Sequence, residues 1–191
     1  MADYSLKKHP VVGACGLSCG LCPRYYTEGP SRCPGCGGPD FFNKHPSCGF
    51  FTCCVKEKGL ESCGQCCDLD NCPRVLKNLE AAKEHDSFIS YRPLAGNLIF
   101  IRGKGIGEFV RLEKEKIAFL KELLKQYDDG RSKSFLCLSC QLLPIDSLKN
   151  IVNAASNVIS QENDAKNRAR VLKEAISELA ETLGVSLKLR R

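Results

Sequence analysis

The sequence predicts an α+β protein: a cysteine-rich, loop-rich metal-binding module over residues 1–75, packed on a mostly helical part over residues 76–191 that carries a few short strands. Three observations lead there. Twelve of the 14 cysteines lie at or before Cys72, as do ten of 16 glycines, and seven of nine prolines lie at or before Pro73. The remainder shows helical periodicity over long stretches. Short apolar runs bounded by turn residues interrupt it.

Taken in chain order, the elements follow from local chemistry. Ser47 is placed to cap a helix through Phe51 and Val55, with Gly59 as its stop. Asn71 and Pro73 start a second, with Val75, Leu76 and Leu79 on its buried face. The run Asn97-Leu-Ile-Phe-Ile-Arg102 reads as a buried strand, and Gly103, Gly105 and Gly107 as a glycine-rich turn after it. From Leu112 to Tyr127, Leu112, Ile117, Leu120, Leu124 and Tyr127 face one way on an amphipathic helix, which Asp128-Asp129-Gly130 ends. Asp146 is placed to cap a helix through Leu148, Ile151, Val152 and Ala155. A long helix runs from about Asp164 to Leu183 and stops at Gly184. Val185, Leu187 and Leu189 alternate with polar residues, the pattern of a short strand.

Composition bounds the function. Of 191 residues, 43% are hydrophobic and 26% charged, which suits a globular fold rather than disorder. No window has the run of about 18 apolar residues that a membrane-spanning helix needs. The N-terminus, Met-Ala-Asp-Tyr-Ser-Leu-Lys-Lys-His-Pro, lacks the apolar core of a signal peptide, so a cytoplasmic, reducing setting is expected. Net charge is +6, with 8 basic and 7 acidic residues up to residue 75, and 20 and 15 beyond it. That is a weak electrostatic footprint for nucleic acid.

The cysteines carry the chemistry. Cys15, Cys19 and Cys22 form a C-x3-C-x2-C run. Cys33-Pro-Gly-Cys36-Gly and Cys63-Gly-Gln-Cys66 are C-x2-C knuckles, with Cys48, Cys53, Cys54, Cys67 and Cys72 among them. Two intervening residues let the chain turn so that both sulfurs reach one centre, and a following glycine permits the positive φ that the turn requires. The segment has too few aliphatic residues to offset its ordering entropy, whereas metal ligation contributes on the order of 10 kcal/mol. Paired knuckles suit structural zinc in four-cysteine sites, the leading expectation. Cys22-Pro23 and Cys72-Pro73 fit a [4Fe–4S] cluster, the alternative. The first run also has radical S-adenosylmethionine spacing, but another knuckle follows where a β-α barrel unit belongs. In the adjacent pairs Cys53-Cys54 and Cys66-Cys67 the side chains should point apart, so that one of each is spare or serves another site.

Other features have plainer readings. His45 is expected at the surface. Cys137 and Cys140 form a third C-x2-C in apolar surroundings and read as core. The pairs Tyr25-Tyr26, Phe41-Phe42 and Phe50-Phe51 could stack on single-stranded bases, but a small metal module needs such side chains as filling. No nucleophile–base set stands out.

The stretch from Ala14 to Arg74 resembles a cysteine-rich family catalogued as domain of unknown function 3795. The resemblance rests on Cys-Gly-Leu-Ser-Cys-Gly-Leu-Cys-Pro at 15–23, Cys-Pro-Gly-Cys at 33–36, Cys48, Cys53, Cys63, Cys66 and Cys72-Pro73. The segments 127–135 and 142–144 look like part of longer members. The resemblance implies a metal site drawn from Cys15, Cys19, Cys22, Cys33, Cys36, Cys48, Cys53, Cys63, Cys66 and Cys72, with Cys54, Cys67 and Cys140 as extras, and no assigned activity. The resulting expectation is a metal-binding protein with a binding or interaction role, since closed all-thiolate sites leave no open position for catalysis. An iron–sulfur redox or enzyme-accessory protein is the alternative, and a nucleic-acid-binding zinc protein the second.

Overall fold

Every regular element in the computed structural model, which describes residues 6–159 and 164–190, is helical. The expected α+β class is therefore corrected: no strand occurs among the described residues. The α-helices are α1 (Phe41–Lys44), α2 (Pro73–Ala81), α3 (Leu94–Lys104), α4 (Ile106–Tyr127), α5 (Lys133–Leu142), α6 (Ile145–Ile159) and α7 (Ala165–Thr182). Single 3₁₀ turns and one wide π-type turn (Phe51–Glu57) connect the cysteine segments. The chain divides into two compact units, Met1–Lys114 with Leu189–Arg191, and Glu115–Lys188.

In the first unit, the run read as a strand forms helix α3. A continuous apolar run cannot separate the two periods, and tertiary packing decides. Leu94, Leu98 and Ile101, at helical spacing, are buried, whereas Ile99 is 65% exposed. Two glycines admit the helix. A Cβ at Gly64 would lie 2.7 Å from Ile101 Cβ, and one at Gly16 would lie 2.8 Å from Leu98 Cδ2. Asn97 Nδ2 donates to the Gly16 carbonyl at 2.9 Å. The glycine-rich segment is accordingly not a turn after a strand. Gly103 lies in the last turn of α3, Gly107 in the first turn of α4, and only Gly105 (φ +83°) breaks the chain between Lys104 and Ile106. Helix α4 starts six residues before the expected Leu112.

The helix expected from Ser47 opens at Gly49 and continues as the π-type turn, with Lys58 N donating to Cys53 O; Gly59 (φ +64°) ends it as expected. Pro73 takes the first helical position of α2, but only Val75 of its expected apolar face is buried; Leu76 is 50% exposed. Ser62 and Gln65 form a capping box that fixes the turn at Cys63: Gly64 N donates to Ser62 Oγ, and Ser62 N to Gln65 Oε1. The strand expected over Val185–Leu189 is irregular chain. Its end is tied to residue 86 by Asp86 N donating to Arg190 O.

In the second unit, α6 packs along α7 and touches α5, and Lys149 of α6 pairs with Glu115 of α4 at 2.6 Å. Leu120, Cys137, Cys140, Leu148 and Ile176 are fully buried. Asp164 caps α7 by accepting from Asn167 N. Gly184 closes it with the paired bonds Gly184 N to Glu181 O and Val185 N to Ala180 O. Asp146 lies in the first turn of α6, where its charge meets the helix dipole, and does not cap it.

Candidate metal centre

Tight turns present the first cysteines. Gly13 N donates to Leu17 O, Gly16 N to Gly13 O, and Cys22 N to Cys19 O, which coils residues 13–22 into successive reversals. The knuckle at Cys33–Cys36 lies against the N-terminal segment, with Cys36 N donating to Pro10 O. Gly35 (φ +83°) makes that approach feasible, because a Cβ there would stand 2.5 Å from the Pro10 carbonyl oxygen. Ala14 N points at Cys36 Sγ, 3.3 Å away. Backbone N–H groups aimed at sulfur are a feature of thiolate-held metal centres.

These turns surround one cavity of about 430 Å³, lined by Cys15, Cys19, Cys22, Cys33, Cys36 and Cys48. Leu17, Phe41, Phe50, Ile89 and Tyr91 supply apolar wall, and Arg24, Lys44, His45, Asn78 and Ser87 supply polar groups. Arg24 lies over the Phe88 ring, 4.7 Å from its centre, and Phe88 also lines the cavity.

Burial governs the thiols. It pushes Cys15 up to about 12, and the charges of Cys36, Cys48 and Cys63 add to that. Cys19 is raised well above its ordinary value by burial, then by Cys36 and Cys15. Cys36 is raised by burial, with Cys48 adding and Lys7 and the Ala14 N–H opposing. Cys22 is raised by burial, with Cys33 adding. Cys36 and Cys48 both act on Cys15, Cys36 and Cys15 act on Cys19, and Cys33 acts on both Cys22 and Cys36, so the cavity thiols feel one another's charge. Ionising several buried thiols together needs a compensating cation, which a metal centre supplies. Part of the compensation is built in. Lys7 is 3% exposed, its Nζ donates to Val12 O at 2.5 Å, and its charge favours thiolate at Cys19, Cys36 and Cys63.

The other expected ligands lie elsewhere. Cys63 is buried and hydrogen-bonded to Cys54, which raises it, as does burial. Cys53 sits half-buried in the π-type turn, and Cys72 half-buried at the start of α2; neither lines the cavity. Cys66 joins Cys67 and Asp68 in a group whose ligand atoms all lie within 4.8 Å of one another. The expectation that neighbouring thiols diverge therefore does not hold for this pair. Among the described residues, no three cavity thiols approach that closely.

His45 is exposed as expected and stacks on Phe41, 4.8 Å between ring centres, while lining the cavity. Cys137 and Cys140 are core residues of α5. Phe41 and Phe51 are buried and stacked at 5.0 Å, and Tyr26 donates to Gly20 O, so much of the aromatic series is packing. Sequence reasoning missed Lys7, Asp68 and the wall from Asn78 to Tyr91. A lysine eight residues before the first cysteine carries no local sign of burial. Asp68 directly follows Cys66-Cys67 and was legible as a third donor.

The many cysteines can bind a metal, and no described helix is long and apolar enough to cross a membrane. No family model, curated protein or solved structure matches the chain.

Proposed function

We propose that this chain is an iron–sulfur protein. A cluster of the [4Fe–4S] type is held in the cavity by Cys15, Cys19, Cys36 and Cys48, and the protein serves electron transfer or as an accessory to an enzyme. The observation that carries the reading is spacing. Four thiolates on one zinc ion, each at about 2.3 Å, sit roughly 3.8 Å apart. The cavity thiols are not gathered that tightly among the described residues, and they surround about 430 Å³ of space. A polynuclear centre needs that wider placement. The donor set is all sulfur, and Cys22-Pro23 borders it. When bound, such a cluster supplies one-electron transfer. The chain's part is to fix the thiolates, exclude water with Phe41, Phe50 and Tyr91, and offset negative charge with Lys7.

Protein purified without oxygen tests this. The expected result is a brown sample with broad visible absorption and about four iron and four labile sulfide per chain. Cys36→Ser should lose the colour and Cys137→Ser keep it. A colourless protein that releases zinc on thiol modification would replace this reading with the zinc one.

A further inference from the structure

Outside the cavity, Cys66, Cys67 and Asp68 converge in a way that consecutive residues of an extended chain cannot. The 3₁₀ turn Cys63–Gln65 ends at Cys66, and the next, Leu69–Asn71, begins directly after Asp68, with Leu69 N donating to Cys66 O. Buried Leu69 anchors the reversal, while Cys67 and Asp68 stay exposed. The reversal brings two sulfurs and a carboxylate oxygen within 4.8 Å of one another, the spacing that suits a single ion. A positive charge already sits there. Lys58 Nζ lies 3.2 Å from Cys66 Sγ and 2.7 Å from Asp68 Oδ2. A surface ion pair accounts for Lys58 and Asp68 but not for two thiols gathered onto the same carboxylate.

We propose that Cys66, Cys67 and Asp68 form a second metal site, which takes one soft divalent cation of the zinc class, with Lys58 as its built-in competitor. On binding, the two thiols give up their protons to solvent, the cation takes the place of the ammonium, and Lys58 swings into water. Three protein ligands leave a fourth position open. With that open position and its exposure, the site exchanges its ion without opening the fold. The site is independent of what the cavity holds.

The test uses full-length, anaerobically purified protein with its cavity centre as isolated, and cobalt(II) as the probe. One equivalent should bind with a thiolate-to-cobalt charge-transfer band. Cys67→Ser and Asp68→Asn should each weaken that binding about tenfold or more, as loss of one of three ligands implies. Lys58→Gln should tighten it roughly fivefold, the size of one unit-charge interaction across about 4 Å in bulk water, where this exposed ammonium sits. The cavity centre's metal content should be unchanged in all three variants, which separates this site from the cluster reading. Wild-type protein that shows no such band, or Cys67→Ser and Asp68→Asn that bind like wild type, would overturn the second site whatever the cavity contains.

Discussion

Lys7 is where a single charge bears most directly on the centre. Its ammonium is buried among thiols that burial otherwise keeps protonated. Lys7→Met removes that charge while keeping most of the volume. We expect metal retention against a chelator to fall at least about fivefold, the value of one attraction across about 4 Å in bulk water, and further as burial lowers the dielectric. A cluster in the variant should also show a more negative reduction potential. Unchanged retention and potential would remove Lys7 from the account. Asp86 shows the same logic away from the metal. Its side chain is fully buried; burial pushes its carboxyl up, but bonds from Arg190, Tyr91 N and Ser90 outweigh this and hold it well below the ordinary range. A depressed carboxyl contributes stability that is present above its ordinary value of 3.8 and lost as pH falls through the lower folded value. Asp86→Asn should therefore cost on the order of 2 kcal/mol at neutral pH and flatten the acid limb of the unfolding profile. Chemical denaturation at several pH values measures both.

At the scale of elements, α3 is the support on which the cysteine turns rest, and its two kinds of glycine make opposite predictions. Gly64→Ala places a methyl group against Ile101 and near the Leu98 carbonyl, and should destabilise by about 1–3 kcal/mol. Gly103→Ala meets open space within the same helix and should stabilise by up to about 1 kcal/mol. Denaturant midpoints at constant slope decide between them. These glycines also show what local sequence reveals. Helix α7 was legible to its ends, because Asp164 and Gly184 announce both caps, and the α4 face Ile117, Leu120 and Tyr127 follows from period alone. The nature of α3 was hidden, since Leu-Ile-Phe-Ile is apolar at every position and only the distant Gly16 and Gly64 select its buried face. The alternation from Val185 to Leu189 reads as a strand, but a strand needs a partner; here Val185 N closes α7 on Ala180 O and Arg190 O accepts from Asp86 N, with no ladder between them among the described residues.

At the scale of the whole molecule, the two units rest on different physics. Among the described residues of Glu115–Lys188, apolar side chains such as Leu120, Leu148 and Ile176 are fully buried without any cysteine cluster around them. The first unit sets its thiols among Phe41, Phe51, Leu94 and Leu98, and aliphatic side chains are sparse where the cysteines cluster. The clustering of cysteines was visible in the sequence, but not which of them share one cavity. Gathering Cys15, Cys36 and Cys48 around one cavity depends on chain closure over tens of residues, which spacing within a knuckle does not encode. On the reading proposed above, metal bound by these thiols rigidifies the first unit. Amide hydrogen exchange followed by mass spectrometry, on loaded and on stripped, fully reduced protein, tests it most directly. We expect stripping to abolish protection from Gly13 to Cys72 while peptides from α5, α6 and α7 exchange as before. Equal protection of residues 13–72 in the two samples would contradict it.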